Sequence, residues 1–236
     1  MYTIDKLWGK WLARGKKTAH KGVNMRRIRA NYQASLVGIA MMAVVTGCSD
    51  APTYTPVAAG STVVALGDSL TYGYGASSET AYPAVLASLS GWTVVNAGVN
   101  GDTSADVLAR LDAIIAQQPD LVLLGVGGND VLQRINPETT RSNLIAIIRA
   151  LKAADSQVIL IAEPHFSVSA LFGRVSDNPV YEEVAESEDV LLYERGWSEI
   201  LADDNLKSDK IHANAAGYRQ FAEGLYNYLK DKHIAR

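Results

Sequence analysis

Five short runs of apolar, largely β-branched residues punctuate the chain, at 62–66, 93–97, 121–124, 158–161 and, more briefly, 190–192. They are too short for helices and show little polar alternation, which is the pattern of strands buried on both faces. Between them, over 81–90, 105–117, 138–154 and 179–187, apolar positions return every three or four residues. A last segment, 214–230, carries Tyr218, Phe221, Leu225 and Leu229 on one helical face. Strands that alternate with helices predict a parallel sheet covered on both sides.

Right-handed crossovers between such strands give an α/β fold, a three-layer α/β/α flavodoxin-like sandwich with a five-stranded parallel sheet. Ligands in open sheets of this kind bind beyond the carboxyl ends of the strands. The residues that follow each run therefore matter most. Gly67-Asp68-Ser69-Leu70 follows the first run and delivers a serine hydroxyl to that edge. Asn96-Ala97-Gly98-Val99-Asn100-Gly101-Asp102-Thr103-Ser104 ends the second, a glycine-bearing turn whose backbone N–H can point into the crevice. Asp102, Thr103 or Ser104 would cap the helix that follows. Gly125-Val126-Gly127-Gly128-Asn129-Asp130 follows the third and places an amide donor at the same edge. No G-x-G-x-x-G spacing or trailing lysine accompanies these glycines, so a phosphate-cradling loop is not expected.

A serine needs a base and an orienter for that base. Asp209-Lys210-Ile211-His212 stands directly before the closing helix, and a carboxylate three residues ahead of an imidazole can accept its Nδ1–H. His165, two residues after Glu163, competes for the same role, while His233 lies in the C-terminal tail. Asp68 and Asp130 read as loop-fixing carboxylates, since neither has a histidine at usable spacing.

Charge and composition change sharply near residue 47. Met25-Arg26-Arg27-Ile28-Arg29 is a basic segment, 34–45 is apolar, and Val45-Thr46-Gly47-Cys48 closes with small residues before the chain's one cysteine. That is the layout of a signal peptide, too short for a comfortable membrane span. Its ending resembles the lipobox of bacterial lipoproteins, which implies a lipidated Cys48 as the mature N-terminus and a membrane reached through that lipid. Residues before Met25 include Trp8 and Trp11, which no export signal needs, so Met25 is a candidate start. Residues 1–47 hold nine Lys/Arg and one Asp; of 22 basic and 25 acidic residues, 13 and 24 remain beyond them, a formal net charge of −11. Such a balance argues against nucleic acid as a partner. A lone cysteine excludes disulfides within the chain and makes a thiolate metal cluster implausible. The expected organisation is a leader at 1–47, a lipidated cysteine and tether at 48–60, and one domain at 61–236.

Together the four blocks resemble the SGNH subgroup of the GDSL hydrolases, over essentially all of 62–230, and most closely its bacterial acyl-thioesterase/lysophospholipase/arylesterase group. The resemblance implies a serine esterase without metal or cofactor, acting on small acyl esters or lipids. Ser69 would be the nucleophile, His212 the base and Asp209 its orienter. The oxyanion hole would comprise the Ser69 and Gly101 N–H groups and the Asn129 side chain. Substrate-facing side chains are expected from Tyr72, Tyr74, Leu132 and Phe166. The sequence departs from the group after the fourth run, where Pro164-His165-Phe166-Ser167 through Asn178 replaces a stretch that usually carries a Pro-Asn turn, and at Ala213, where proline is common. Two other readings compete: an O-acetyl esterase for envelope glycans and a non-catalytic envelope-binding lipoprotein. Ser49 after the cysteine resembles outer-membrane sorting, which implies an anchor facing the periplasm of a Gram-negative bacterium.

Overall fold

The computed structural model describes residues 54–165 and 175–236; the leader, Cys48 and Phe166 lie outside them. The strands are β1 (Thr62–Gly67), β2 (Thr93–Gly98), β3 (Leu121–Gly125), β4 (Gln157–Ile161) and β5 (Leu191–Tyr193). They form one sheet in the order β2-β1-β3-β4-β5, with every pairing parallel. This is the α/β sandwich that the alternating pattern predicts.

Strand alternation sorts the core into two layers. Val63, Ala65, Leu121, Leu123, Ile159 and Ile161 face one side, against α2 (Tyr82–Ser90), α8 (Gly196–Ala202) and α9 (Ala215–Asp231). There the Trp197 and Phe221 rings stack with centroids 3.5 Å apart. Val64, Leu66, Val122, Leu124, Val158 and Leu160 face the other side. They meet α3 (Ser104–Ala109), α4 (Leu111–Ile115), α6 (Pro137–Ala153) and α7 (Val180–Glu188). Near-continuous apolar strands follow from this burial on both faces.

Two differences from the sequence pattern have physical causes. The single helix expected over 105–117 is two, broken at Arg110, whose backbone leaves the helical region (φ −107°, ψ 10°). Its guanidinium reaches back to the sheet, binding the Gly67 and Ala97 carbonyl oxygens at 3.0 and 2.9 Å and the Asp102 carboxylate at 2.7 Å. The stretch expected to be a tether is packed from Tyr54 onward. The Tyr54 hydroxyl donates to the Val158 carbonyl and accepts from the Leu191 N–H, while Val57 is buried and its carbonyl accepts from Trp92 Nε1. The polypeptide thus joins the domain at the amino ends of β4 and β5.

Register aligns the opposite end of the sheet. Gly67 pairs with Gly98 on one side and with Gly125 on the other, so the loops after β1, β2 and β3 leave the sheet at one level. A Cβ on Gly67 would sit 2.0 Å from the Gly125 carbonyl oxygen and 2.3 Å from Thr71 Oγ1. Any larger residue would force these strand ends apart.

Candidate active site

Asp68 follows β1 and caps the short helix α1 (Ser69–Tyr72), its Oδ1 accepting from the Leu70 N–H at 2.9 Å. The turn leaves Ser69 half-buried at the sheet edge. His212 arrives from the other end of the chain, in the loop before α9, and its Nε2 lies 3.0 Å from Ser69 Oγ. Its Nδ1 lies 2.8 Å from Asp209 Oδ2. Asp209 is itself fixed, because its Oδ1 accepts from both the Ile211 and His212 N–H groups at 2.9 Å. Partial burial pushes the Asp209 carboxyl up, but the Ile211 N–H, the His212 ring and the His212 N–H together outweigh it and hold it below the usual carboxylate range. The Tyr74 ring packs on the His212 ring with centroids 4.4 Å apart. His165 is exposed and its N–H donates to the Ser176 carbonyl, so the imidazole that meets Ser69 is His212.

The loop after β2 brings Gly101 to the same cavity. Its φ of +87° is the left-handed conformation that glycine adopts freely, and a Cβ there would meet nothing within 4 Å, so backbone conformation and not space selects the residue. Neither the Ser69 nor the Gly101 N–H has a backbone acceptor among the described residues. Thr103 caps α3 in a capping box with Asp106, and Arg110 ties Asp102 to the ends of β1 and β2.

Asn129 lies on α5 (Gly128–Leu132), just beyond β3. Its Nδ2 donates to the Asp102 carbonyl at 2.9 Å and to Asp68 Oδ2 at 3.2 Å. Both amide hydrogens are therefore engaged at rest. Asp130, buried one residue on, accepts from the Ser104 N–H at 2.8 Å, from Ser104 Oγ and from Thr140 Oγ1, which holds the second and third loops together. Asp68 is 3% exposed, and burial, aided by the charges of Asp102 and Asp130, raises its carboxyl against the Leu70 N–H that opposes it.

The cavity over these groups is about 230 Å³, lined among others by Ser69, Tyr74, Gly101, Asn129, Leu132 and His212. Tyr72 is exposed but stands outside this lining, with its carbonyl accepting from Asn96 Nδ2. Sequence reasoning missed Arg110, which carries no local signal, and Glu163, a carboxyl in the cavity lining that it weighed merely as a neighbour of His165. Among the described residues no cluster of His, Cys, Asp and Glu is arranged to hold a metal ion.

The chain also resembles known proteins in sequence and in fold. Residues 65–220 match the model of the GDSL-like Lipase/Acylhydrolase family. The chain is 37% identical over 180 residues to thioesterase 1/protease 1/lysophospholipase L1 of Escherichia coli strain K12, covering 73% of this chain and 85% of that protein. It is 29% identical over 201 residues to esterase TesA of Pseudomonas aeruginosa, covering 79% and 96%. Among solved structures, the psychrotrophic esterase EstA from Pseudoalteromonas sp. superposes with a TM-score of 0.63 at 26% identity, covering 73% of this chain and 98% of that one.

Proposed function

The chain belongs to the GDSL-like lipase/acylhydrolase family and is an ester-hydrolysing enzyme, and on that premise we propose that it works through an acyl-serine intermediate on Ser69. The observation that carries this reading is the unbroken run of contacts from Ser69 Oγ through His212 to Asp209, at 3.0 and 2.8 Å. With Asp209 accepting the Nδ1 proton, His212 Nε2 is free to take the serine proton as Oγ attacks the ester carbonyl. The carbonyl π electrons move onto oxygen, and the Ser69 N–H, the Gly101 N–H and Asn129 Nδ2 stabilise that oxyanion. Collapse expels the alcohol or thiol, which takes the proton back from His212. Water, deprotonated by the same nitrogen, then attacks the acyl-serine, releases the acid and restores Ser69.

Substrates of this reading are small acyl esters or single-chain lipids. Tyr74 and Leu132 line the cavity, exposed Tyr72 ends α1 and exposed Val99 stands on the loop after β2, a set of apolar side chains suited to an acyl chain. Both tryptophans beyond the leader, Trp92 and Trp197, are in the core at 5% and 1% exposure and are not available for stacking on sugars. That disfavours the glycan O-acetyl esterase. Hydrolysis of p-nitrophenyl esters from acetyl to lauroyl, beside Ser69→Ala, tests the proposal. Ser69-dependent turnover with a mass increment of one acyl group on the Ser69 peptide supports it, and turnover that survives Ser69→Ala refutes it.

For the leader, the proposal is export and lipid attachment at Cys48, supported by the Val45-Thr46-Gly47-Cys48 ending. Cys48 stands six residues before Tyr54, which packs at the amino ends of β4 and β5, whereas Ser69 follows the carboxyl end of β1. An anchor there would hold the cavity mouth away from the membrane and favour dissolved or dispersed substrates. The intact mass of the membrane-fraction protein decides: a diacylglycerol-modified Cys48 at the mature N-terminus supports the anchor, and an unmodified thiol refutes it.

A further inference from the structure

One carboxyl in the floor of the cavity takes no part in the chemistry above. Glu163 follows β4, is 0% exposed and lines the cavity from beneath. Its Oε2 accepts from the Gly128 N–H at 2.6 Å, the shortest way to hold the residue immediately before Asn129. Helix α5 has no cap of its own, because its N-cap position is Gly127 and no side chain there bonds the first turn. Glu163 supplies that missing acceptor from the loop after β4. The backbone of Glu163 is fixed in turn, its carbonyl accepting from the Asn178 N–H at 3.0 Å.

The surroundings of this carboxyl are unusual. The charges of Asp68, just after β1, and Asp130, on α5, reach it, as do those of the Tyr82 and Tyr181 phenols on α2 and α7. No Lys, Arg or His among the described residues forms an ion pair with Glu163 or Asp68. Glu163 Oε1 is buried without a hydrogen-bond partner and lies 3.7 Å from where a Cβ on Gly125 would be. A charged carboxylate in that position would be desolvated, unpaired and next to other acids, which is among the costliest arrangements a fold can hold. Burial and the Asp68 charge both push the Glu163 carboxyl well above its ordinary range, against the opposing pull of the Gly128 N–H.

We propose that Glu163 is a positioning residue of this esterase: as a neutral carboxylic acid it holds the Gly128 N–H, and through it sets Asn129 where the oxyanion forms. The inference rests on the esterase reading above. Asn129 sits between two acceptors, the Asp102 carbonyl and Asp68, and a small shift of α5 would leave its amide aimed at one of them and away from the substrate. Misplacement of a catalytic group by about 1 Å can cost up to roughly 10²-fold in rate.

The test compares Glu163→Ala and Glu163→Gln in the full chain, on p-nitrophenyl butyrate, at a temperature where unfolding curves show each variant fully folded. Glu163→Ala removes the acceptor and is expected to lower kcat by about 10- to 100-fold with KM changed less than threefold. Glu163→Gln keeps an acceptor oxygen and is expected to recover most of that loss. A second readout is independent of turnover. A buried acid whose proton is held above its unfolded range makes the fold lose stability as pH rises from about 4.5 towards its native value. The Tm of Glu163→Gln should therefore gain on the parent across that window, with no difference opening below it. A Glu163→Ala enzyme that is less stable yet keeps the parent kcat would overturn the positioning role. A Glu163→Gln enzyme as slow as Glu163→Ala, or one whose Tm does not gain on the parent with pH, would overturn the neutral acid. A parent without Ser69-dependent turnover would sink the esterase reading first, and this inference with it.

Discussion

Replacing Asp209 by Asn is the sharpest probe of the proposed base, because the local hydrogen bonds dictate how the new amide must sit. Oδ1 of Asp209 accepts from two backbone N–H groups, those of Ile211 and His212, at 2.9 Å each. In Asp209→Asn the amide oxygen must keep that position, since turning the NH₂ there would set it against two donors. The NH₂ then faces His212 Nδ1 across the 2.8 Å contact and forces that nitrogen to accept. The imidazole proton moves to Nε2, the nitrogen 3.0 Å from Ser69 Oγ, which can no longer take the serine proton. A wrong tautomer of this kind costs about 10⁴ in kcat in other serine hydrolases, equivalent to about 5.4 kcal/mol of barrier. Asp209→Ala imposes no tautomer. The Asp209 side chain is 44% exposed, so water can reach Nδ1 in its place, and the expected loss is smaller than that of the Asn variant. The assay is kcat on p-nitrophenyl butyrate at pH 7.5 for both variants, with circular dichroism to confirm the fold. An Asn variant within tenfold of the parent, or one clearly faster than Ala, would refute the tautomer argument.

Asn129→Ala removes a proposed oxyanion donor and is expected to lower kcat about 10²–10³-fold with little change in KM, measured on the same ester; a loss under tenfold would show that its resting bonds to Asp68 and Asp102 are its whole role. Arg110→Met frees the Gly67 and Ala97 carbonyls and the Asp102 carboxylate, so the Gly101 loop should loosen: kcat falls about tenfold or more, and denaturant unfolding registers a loss of about 1–2 kcal/mol. Asp209 has a native pKa held below its ordinary value, so its contribution to stability is present above about pH 3.9 and disappears as pH falls through the native value. The Tm gap between the parent and Asp209→Ala should accordingly narrow on acidification below that pH, and a gap that stays constant or widens as pH falls would contradict this sign.

The sheet and the Asp209–His212 pair were legible in the sequence for the same reason: both are local. An apolar run between turn residues signals a buried strand by itself, and a carboxylate three residues from an imidazole needs one tight turn to reach it. The ends of α6 and α7 on the flanks of β4 fell within a residue of the pattern, because burial of one face fixes them, whereas the short helix α8 after β5 was not read from it. What escaped were long-range bonds. The break at Arg110 depends on carbonyls of residues 67 and 97, and nothing in the helical periodicity of 105–117 announces it. The packing of Tyr54 and Val57 depends on Val158, Leu191 and Trp92, so a Pro-, Thr- and Ala-rich stretch that reads as a tether is held by partners far along the chain. Glu163 was visible as an acid beside a histidine, whereas its bond to Gly128 spans 35 residues.

The long-range bonds at the carboxyl end of the sheet share a purpose. Ser69, Gly101 and Asn129 sit two, three and four residues beyond Gly67, Gly98 and Gly125, which pair in register across the sheet. A one-residue slip in either pairing would displace a loop by about 3.3 Å along the strand and turn its side chains to the opposite face, so the sheet sets the coarse positions. It cannot set the fine ones, since each group stands on a short turn with freedom of its own. Arg110 binds the turn after β2 to the ends of β1 and β2, Asp130 binds the helix after β3 to Ser104, and Asp68 joins the turn after β1 to Asn129. Each of these side chains crosses from one loop to the next, and each is a charged or ionisable group that a core made for stability alone would avoid. Placing them at one end of the sheet, while the polypeptide joins the domain at the other, concentrates the cost of buried polarity around the proposed active site.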